Sequence, residues 1–227
     1  MIPTRVTIAC AVAAVLALAA GLAAGTEPGT AAEPGAAWLA HLRSCLDGVH
    51  SLSARFTHDL SHPLGVRGAP ETGRLELRRG GRLRLDYDNP PGRVVAADGR
   101  SVRSYDPRTR LFVEQPARDS LLPRAFAFLL DPGAAPGLTV GFLGGATAPV
   151  PGGGRAVIAL VPAAERSVIE RVALVLEPLC PGVRRVVVVE RGGTASRFTF
   201  EEITINPGIG HKRFVLTPPA GVAVVHP

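Results

Sequence analysis

The sequence predicts an α+β fold that is mostly β: an antiparallel sheet of about eleven strands with a small number of helices. Three observations carry this reading. From Gly73 to Pro90 the chain runs GRLELRRGGRLRLDYDNP, where Leu75 and Leu77, then Leu83, Leu85 and Tyr87, alternate with charged residues. A period of two marks a strand with one apolar and one wet face, and Gly80-Gly81 between two such strands marks a hairpin. Turn residues then recur at short intervals, at Asn89-Pro90-Pro91-Gly92, Asp98-Gly99 and Asp106-Pro107. Links this short leave no room for crossover helices, so the strands run antiparallel. Lastly, Trp38, Leu39, Leu42, Leu46 and Val49 recur at spacings of three and four, one face of a helix of about four turns.

In chain order, residues 1–25 have the layout of a cleaved secretory signal peptide. Arg5 precedes an apolar run from Val6 to Ala24, which closes on Ala23-Ala24-Gly25. The run is also long enough to span a bilayer uncleaved. Cys10 lies inside it, too early for a lipid-attachment site. Residues 26–36 are rich in Ala, Pro, Gly and Glu and read as a disordered lead-in, with a single domain over 37–227. After the helix, Ala54 to Leu60 reads as the first strand. Strands follow at about 72–79, 82–88, 93–97, 101–105 and 110–115. The rhythm then breaks at Ser120–Leu130, SLLPRAFAFLL, which has the length and composition of a short helix begun near Pro123. Asp131-Pro132-Gly133 ends it. Strands resume at Leu138–Leu143 and, beyond the loop Gly144–Gly154, at about 155–161, 168–176, 184–190, 195–205 and 212–217.

Composition narrows the function classes. The formal charge is +6, but it is spread as single arginines, and Lys212 is the only lysine. A basic balance without a Lys/Arg block interleaved with aromatics does not point to nucleic acid. Beyond Cys10 there are only Cys45 and Cys180. An exported chain meets an oxidising compartment, so the two could pair, although spacing alone leaves this open. No nucleophile elbow and no zinc-protease motif occurs. The glycine-rich loop at 144–154 lacks the Lys-Ser/Thr end that grips phosphate. His58 and His62 flank Asp59, but in a strand they stand roughly 13 Å apart, and the pair reads as two polar residues at a strand end rather than a metal site. The expectation is a protein that is not an enzyme and holds no cofactor or metal.

Four segments, in order, resemble the periplasmic outer-membrane lipoprotein carrier family, LolA. They are Leu52-Ser53-Ala54-Arg55-Phe56-Thr57, the hairpin Gly73–Arg79 with Leu83–Tyr87 and Pro90, Ala97-Asp98-Gly99-Arg100 with Tyr105-Asp106-Pro107, and Phe214–Val222 with its Thr217-Pro218-Pro219 core. Two positions depart from the family: His58 stands where Gln is usual, and Gly80 stands where Pro is usual. The resemblance implies a strongly curved, unclosed antiparallel sheet, a half barrel, with helices forming a lid over an apolar cavity. It implies a monomeric periplasmic carrier that takes up the acyl chains of lipoproteins. Cargo would come from an inner-membrane ABC-type release complex and pass to an outer-membrane receptor (LolB-like).

On that reading the lipid-binding surface comprises Leu75, Leu77, Leu83, Leu85 and Tyr87 from the hairpin. Phe126, Leu129 and Leu130 come from the lid, and Val157, Ala159, Val172 and Leu174 from later strands. Ordinary core packing is the alternative for each. By the resemblance, Arg79 corresponds to the family arginine that bonds lid-helix carbonyls and latches the closed form; a solvated strand-end arginine is the plainer reading. A sixteen-carbon chain is worth on the order of 12 kcal/mol of burial, so lipoproteins need an apolar carrier to cross water. Other functions considered are a carrier of another amphiphile (a glycolipid, or an acyl product of a pigment or polyene pathway), a lipoprotein-sensing regulator, which would be expected to carry a further C-terminal domain, and a small secreted hydrolase, disfavoured by the missing triad.

Overall fold

The computed structural model describes residues 33–65, 68–120, 123, 126, 129–130, 138–147, 149, 153–162 and 168–227. The proposed signal peptide therefore lies outside the described residues. One helix, α1 (Pro34–Cys45), precedes eleven strands of an antiparallel series: β1 (Ser51–Ser61), β2 (Glu71–Arg78), β3 (Arg82–Asn89), β4 (Val94–Asp98), β5 (Ser101–Asp106), β6 (Leu111–Pro116), β7 (Leu138–Gly145), β8 (Ala156–Pro162), β9 (Ile169–Leu176), β10 (Val183–Glu190) and β11 (Ala195–Ile205). A twelfth, β12 (Val224–Val225), adds one parallel rung beside Phe112 and Val113 of β6. The helix begins at Pro34, inside the stretch expected to be a disordered lead-in, because Pro suits a first helical turn. No strand forms at 212–217: His211–Phe214 is a 3-10 turn. Phe214 is instead buried against the face of the sheet opposite the main core.

The strand order is β12-β6-β5-β4-β3-β2-β1-β11-β10-β9-β8-β7. Two meanders, β1–β6 and β7–β11, are thus joined along β1·β11, and the sheet is open, with β12 and β7 at its edges. One face carries the main core. Antiparallel partners share a face, so the register draws apolar rows across many strands. One row runs Phe142, Ile158, Leu174, Val186, Phe198 and then His58. Another runs Leu52, Leu77, Leu83, Ala97 and Val102. Gly73 makes one row possible: a Cβ there would lie 2.2 Å from the Asp86 carbonyl and 2.8 Å from the Phe56 ring. The aromatic ring of β1 occupies the space that a side chain on β2 would take.

The opposite face is closed by the C-terminal segment. Arg213 pairs with Glu76 and Asp86, and its carbonyl accepts from Arg84 Nη1. These contacts seat Phe214 against β3 and β4.

Helix α1 is tied to the sheet at both ends. Trp38 Nε1 donates to the Ala146 carbonyl at 2.7 Å. At its far end Cys45 is disulfide-bonded to Cys180, 135 residues away, in the β9–β10 loop. The pairing that sequence left open is therefore made. Closing so long a loop constrains the unfolded chain and contributes roughly 3–5 kcal/mol. The double variant Cys45→Ala/Cys180→Ala should lose about 10 °C of melting midpoint, given the few degrees per kcal/mol of a domain this size. An unchanged midpoint in a scanning-calorimetry comparison would show that the bond does not hold the fold together.

Candidate apolar binding face and its cover

The inward face is built by alternation alone. Each strand contributes every second side chain, and the pairs in register bring them into contact. Leu75, Leu77, Leu83, Leu85 and Tyr87 all lie here, each 5% exposed or less. Val172 and Leu174 join them from β9. Val157 and Ala159 do not. They pair with Val175 and Ala173 on the outer face, while Ala156, Ile158 and Leu160 point inward. In β8 every residue from Ala156 to Val161 is apolar, so parity could not be read without the register. Sequence reasoning also missed Phe56, Phe198 and Phe200. The alternation of Ala54, Phe56 and His58 in β1 carried that signal.

Two pieces of chain cover this face. One is α1. The other lies in the connection from β6 to β7, which must pass from one edge of the sheet to the other. Pro123 and Phe126 have helical backbone there, but the remainder of the helix expected over 120–130 falls largely outside the described residues. Phe126, Leu129 and Leu130 are buried against the inward face. The Phe126 ring stands edge-on to Phe198 at 5.0 Å and to Phe200 at 6.0 Å.

Arg79 closes the space between hairpin and helix. Its Nε donates to the Val49 carbonyl at 2.6 Å and its Nη2 to Leu46 at 3.1 Å. Leu46 is the residue that caps the end of α1 and Val49 lies in the turn beyond it, so the guanidinium ties the hairpin to the chain just after the helix. Its Gly80 neighbour has φ +84°, a value the proline usual in the family cannot adopt. A Cβ on Gly99 would meet the Gly80 carbonyl at 2.5 Å, so this hairpin loop packs down on the next turn instead of relying on a ring.

Two cavities open where the cover is incomplete. The first, about 330 Å³, lies under the hairpin loop between Leu77, Arg79, Leu83, Phe126 and Leu130. The second, about 380 Å³, lies at the other end, between His58, Tyr87, Arg93 and Phe198. The Phe126–Phe198 contact stands between them.

The first cavity is rimmed by Arg78, Arg79 and Arg82, whereas the second holds groups of both signs. His58 Nδ1 lies 3.0 Å from Glu71 Oε2, and Glu71 Oε1 accepts from Arg93 at 2.6 Å. Arg93 also lies over the Tyr87 ring, 4.6 Å from its centroid. The imidazole stacks on Phe198 at 4.2 Å with the planes parallel. Burial pushes His58 below its ordinary 6.5, with Glu71 opposing this. Burial also pushes the Tyr87 phenol up to about 12. His58 is therefore a largely enclosed residue within β1, not the strand-end polar group expected. His62 is exposed, and no group of three metal-ligating side chains occurs among the described residues.

Comparison with known proteins gives a consistent result. The family profile described as outer membrane lipoprotein carrier protein LolA matches residues 47–217. A protein of Chromohalobacter salexigens named outer-membrane lipoprotein carrier protein is 28% identical over 194 residues, covering 86% of this chain and 88% of its own length. One of the same name from Methylibium petroleiphilum is 26% identical, covering 76% and 81%. Among solved structures, an uncharacterized conserved protein of Thermus thermophilus aligns with a TM-score of 0.50 at 12% identity, covering 84% of this chain and 97% of that one, a likeness of fold.

The state of His58 has a consequence for stability. Its folded pKa lies below 6.5, so the unfolded chain takes up the proton first as pH falls. This contribution is intact above about pH 6.5 and is lost as pH drops below it. The urea midpoint should fall between pH 7 and 5.5 in the wild type and fall less in His58→Gln; parallel curves for the two proteins would contradict this.

Proposed function

The chain belongs to the LolA family of outer membrane lipoprotein carrier proteins, and on that premise we propose that it is a periplasmic carrier of acylated lipoproteins. The observation that carries the reading is the cover of the inward face. Phe126, Leu129 and Leu130 fill it from a connection that is part of neither meander. Burying each of these side chains is worth about 1.5–3 kcal/mol. A sixteen-carbon chain buried in their place is worth on the order of 12 kcal/mol. The three together, about 4.5–9 kcal/mol, offset much of the worth of one acyl chain, so exchanging lid for chain takes far less than exposing either surface to water. Binding with no bond made or broken needs no catalytic group.

In this reading the cargo chains lie along Leu75, Leu77, Leu83, Leu85, Tyr87, Val172 and Leu174. Helix α1, held by the disulfide and by Trp38, stays in place, and the segment from Pro123 to Leu130 moves. Arg79 links the two covers, bonding the chain just after α1 and lining the same cavity as Pro123, Phe126 and Leu130, and so holds the closed form. The leader is cleaved at export. Cargo arrives from an inner-membrane ABC-type release complex and passes to an outer-membrane receptor.

Protein purified from the periplasm should carry triacylated lipoproteins, identified by mass spectrometry of the extracted complex. A different lipid class in their place would make it a carrier of another amphiphile. Arg79→Leu should take up a fluorescent fatty-acid probe several-fold faster than the wild type. Unchanged uptake together with unchanged cargo release would remove the latch.

A further inference from the structure

The cavity at the His58 end is walled by apolar and polar residues together. Leu60, Tyr87, Val188 and Phe198 form its apolar wall. Gln115, Ser120, Glu190 and Ser196 bring polar side chains to the same space. His58 occupies the end of the apolar row that crosses from Phe142 to Phe198, a position where a hydrocarbon side chain would complete the pattern. Its side chain is 11% exposed.

The hydrogen bonding assigns its tautomer. An ionised carboxylate only accepts, so Nδ1 carries the proton that Glu71 receives. Arg93 holds the other oxygen of Glu71, which keeps that carboxylate aimed. Burial keeps the ring neutral. Nε2 then presents a lone pair. It is buried and has no hydrogen-bond partner among the described residues. The ring cannot turn to relieve it, since it is stacked on Phe198 and bonded at Nδ1. A buried acceptor without a partner is costly, and the group that satisfies it gains the difference.

We propose that this cavity is a head-group subsite in which His58 Nε2 accepts a hydrogen bond from a neutral donor at the head of an acyl chain, the N–H of an N-acyl amide or a hydroxyl. The inference rests on the carrier reading and adds polarity to it. The chain lies along the apolar rows, and its head reaches the one end of the face where a fixed acceptor is waiting. In the closed form Nε2 is out of reach of water. The donor gains access when Phe126, which packs on Phe198 beside the imidazole, parts from the sheet, the same movement that loading requires. Glu71 and Arg93 act as positioning residues, holding the tautomer.

Three probes of equal chain length separate the possibilities: oleamide with an amide donor, oleyl alcohol with a hydroxyl donor, and methyl oleate with none. Competition against a fluorescent fatty-acid probe reads their affinities for the wild-type protein. At least one donor-bearing probe should bind about tenfold more tightly than the ester, the worth of one hydrogen bond to an otherwise unpaired buried acceptor, and which of the two does so identifies the donor. His58→Phe keeps the stack on Phe198 and removes the acceptor, so it should bind all three alike. His58→Gln keeps an acceptor and a donor and should retain the preference. Equal binding of the three probes by wild type overturns the subsite while leaving the carrier reading intact, and needs no variant to fold. A preference that persists in His58→Phe overturns it too. If none of the three binds, the carrier reading fails and the subsite with it.

Discussion

The pairing of β1 with β11 joins two meanders into one sheet whose edges, β12 and β7, stay apart. That constraint governs the rest. The sheet has a continuous apolar face that no second sheet covers, and exposed apolar area of that size is not tolerated in water. Its cover has to come from chain outside the strands. The same topology supplies it, because the link from β6 to β7 must travel from one edge to the other. Phe126, Leu129 and Leu130 are carried over the face by that passage.

The two covers are held differently. Helix α1 is secured by a covalent bond at Cys45, by the Trp38 indole and by the Arg79 guanidinium at its end. The contacts of the Pro123–Leu130 segment described above are mainly apolar and aromatic. Apolar contacts are non-directional, so one hydrocarbon surface can stand in for another. A side-chain cover of this kind is exchangeable with an acyl chain in a way that a hydrogen-bonded cover is not. The outward face shows the contrast: there Arg213, Glu76, Asp86 and Arg84 fix the C-terminal segment with directed charge pairs.

Polarity enters the row from Phe142 to Phe198 at a single position, His58. His58 interrupts a line of hydrocarbon and aromatic side chains and brings Glu71 and Arg93 with it. A family resemblance marks the position as unusual, since Gln is the common residue. Neither side chain is apolar, so the row ends on a polar atom in both cases. Only the ring, however, is locked by stacking on Phe198.

Local sequence determined the strands and most of their boundaries. Alternation and turn chemistry are properties of a few neighbouring residues, and they read correctly at the hairpin Leu75–Tyr87 and at the four turns from Gly80 to Pro107. The inward set Leu75, Leu77, Leu83, Leu85 and Tyr87 was legible for the same reason. Val157 and Ala159 were misplaced because an unbroken apolar run has no parity of its own; only pairing with β9 decides which side each residue takes. The disulfide, the join of β1 to β11 and the burial of His58 also lay beyond reading. Each depends on residues more than a dozen, and in two cases more than a hundred, positions apart, and no periodicity encodes which distant strand arrives alongside. Sequence thus set an apolar stripe on each strand, and tertiary structure decided that the stripes form one open face, what lies across it, and where along it a polar group is held.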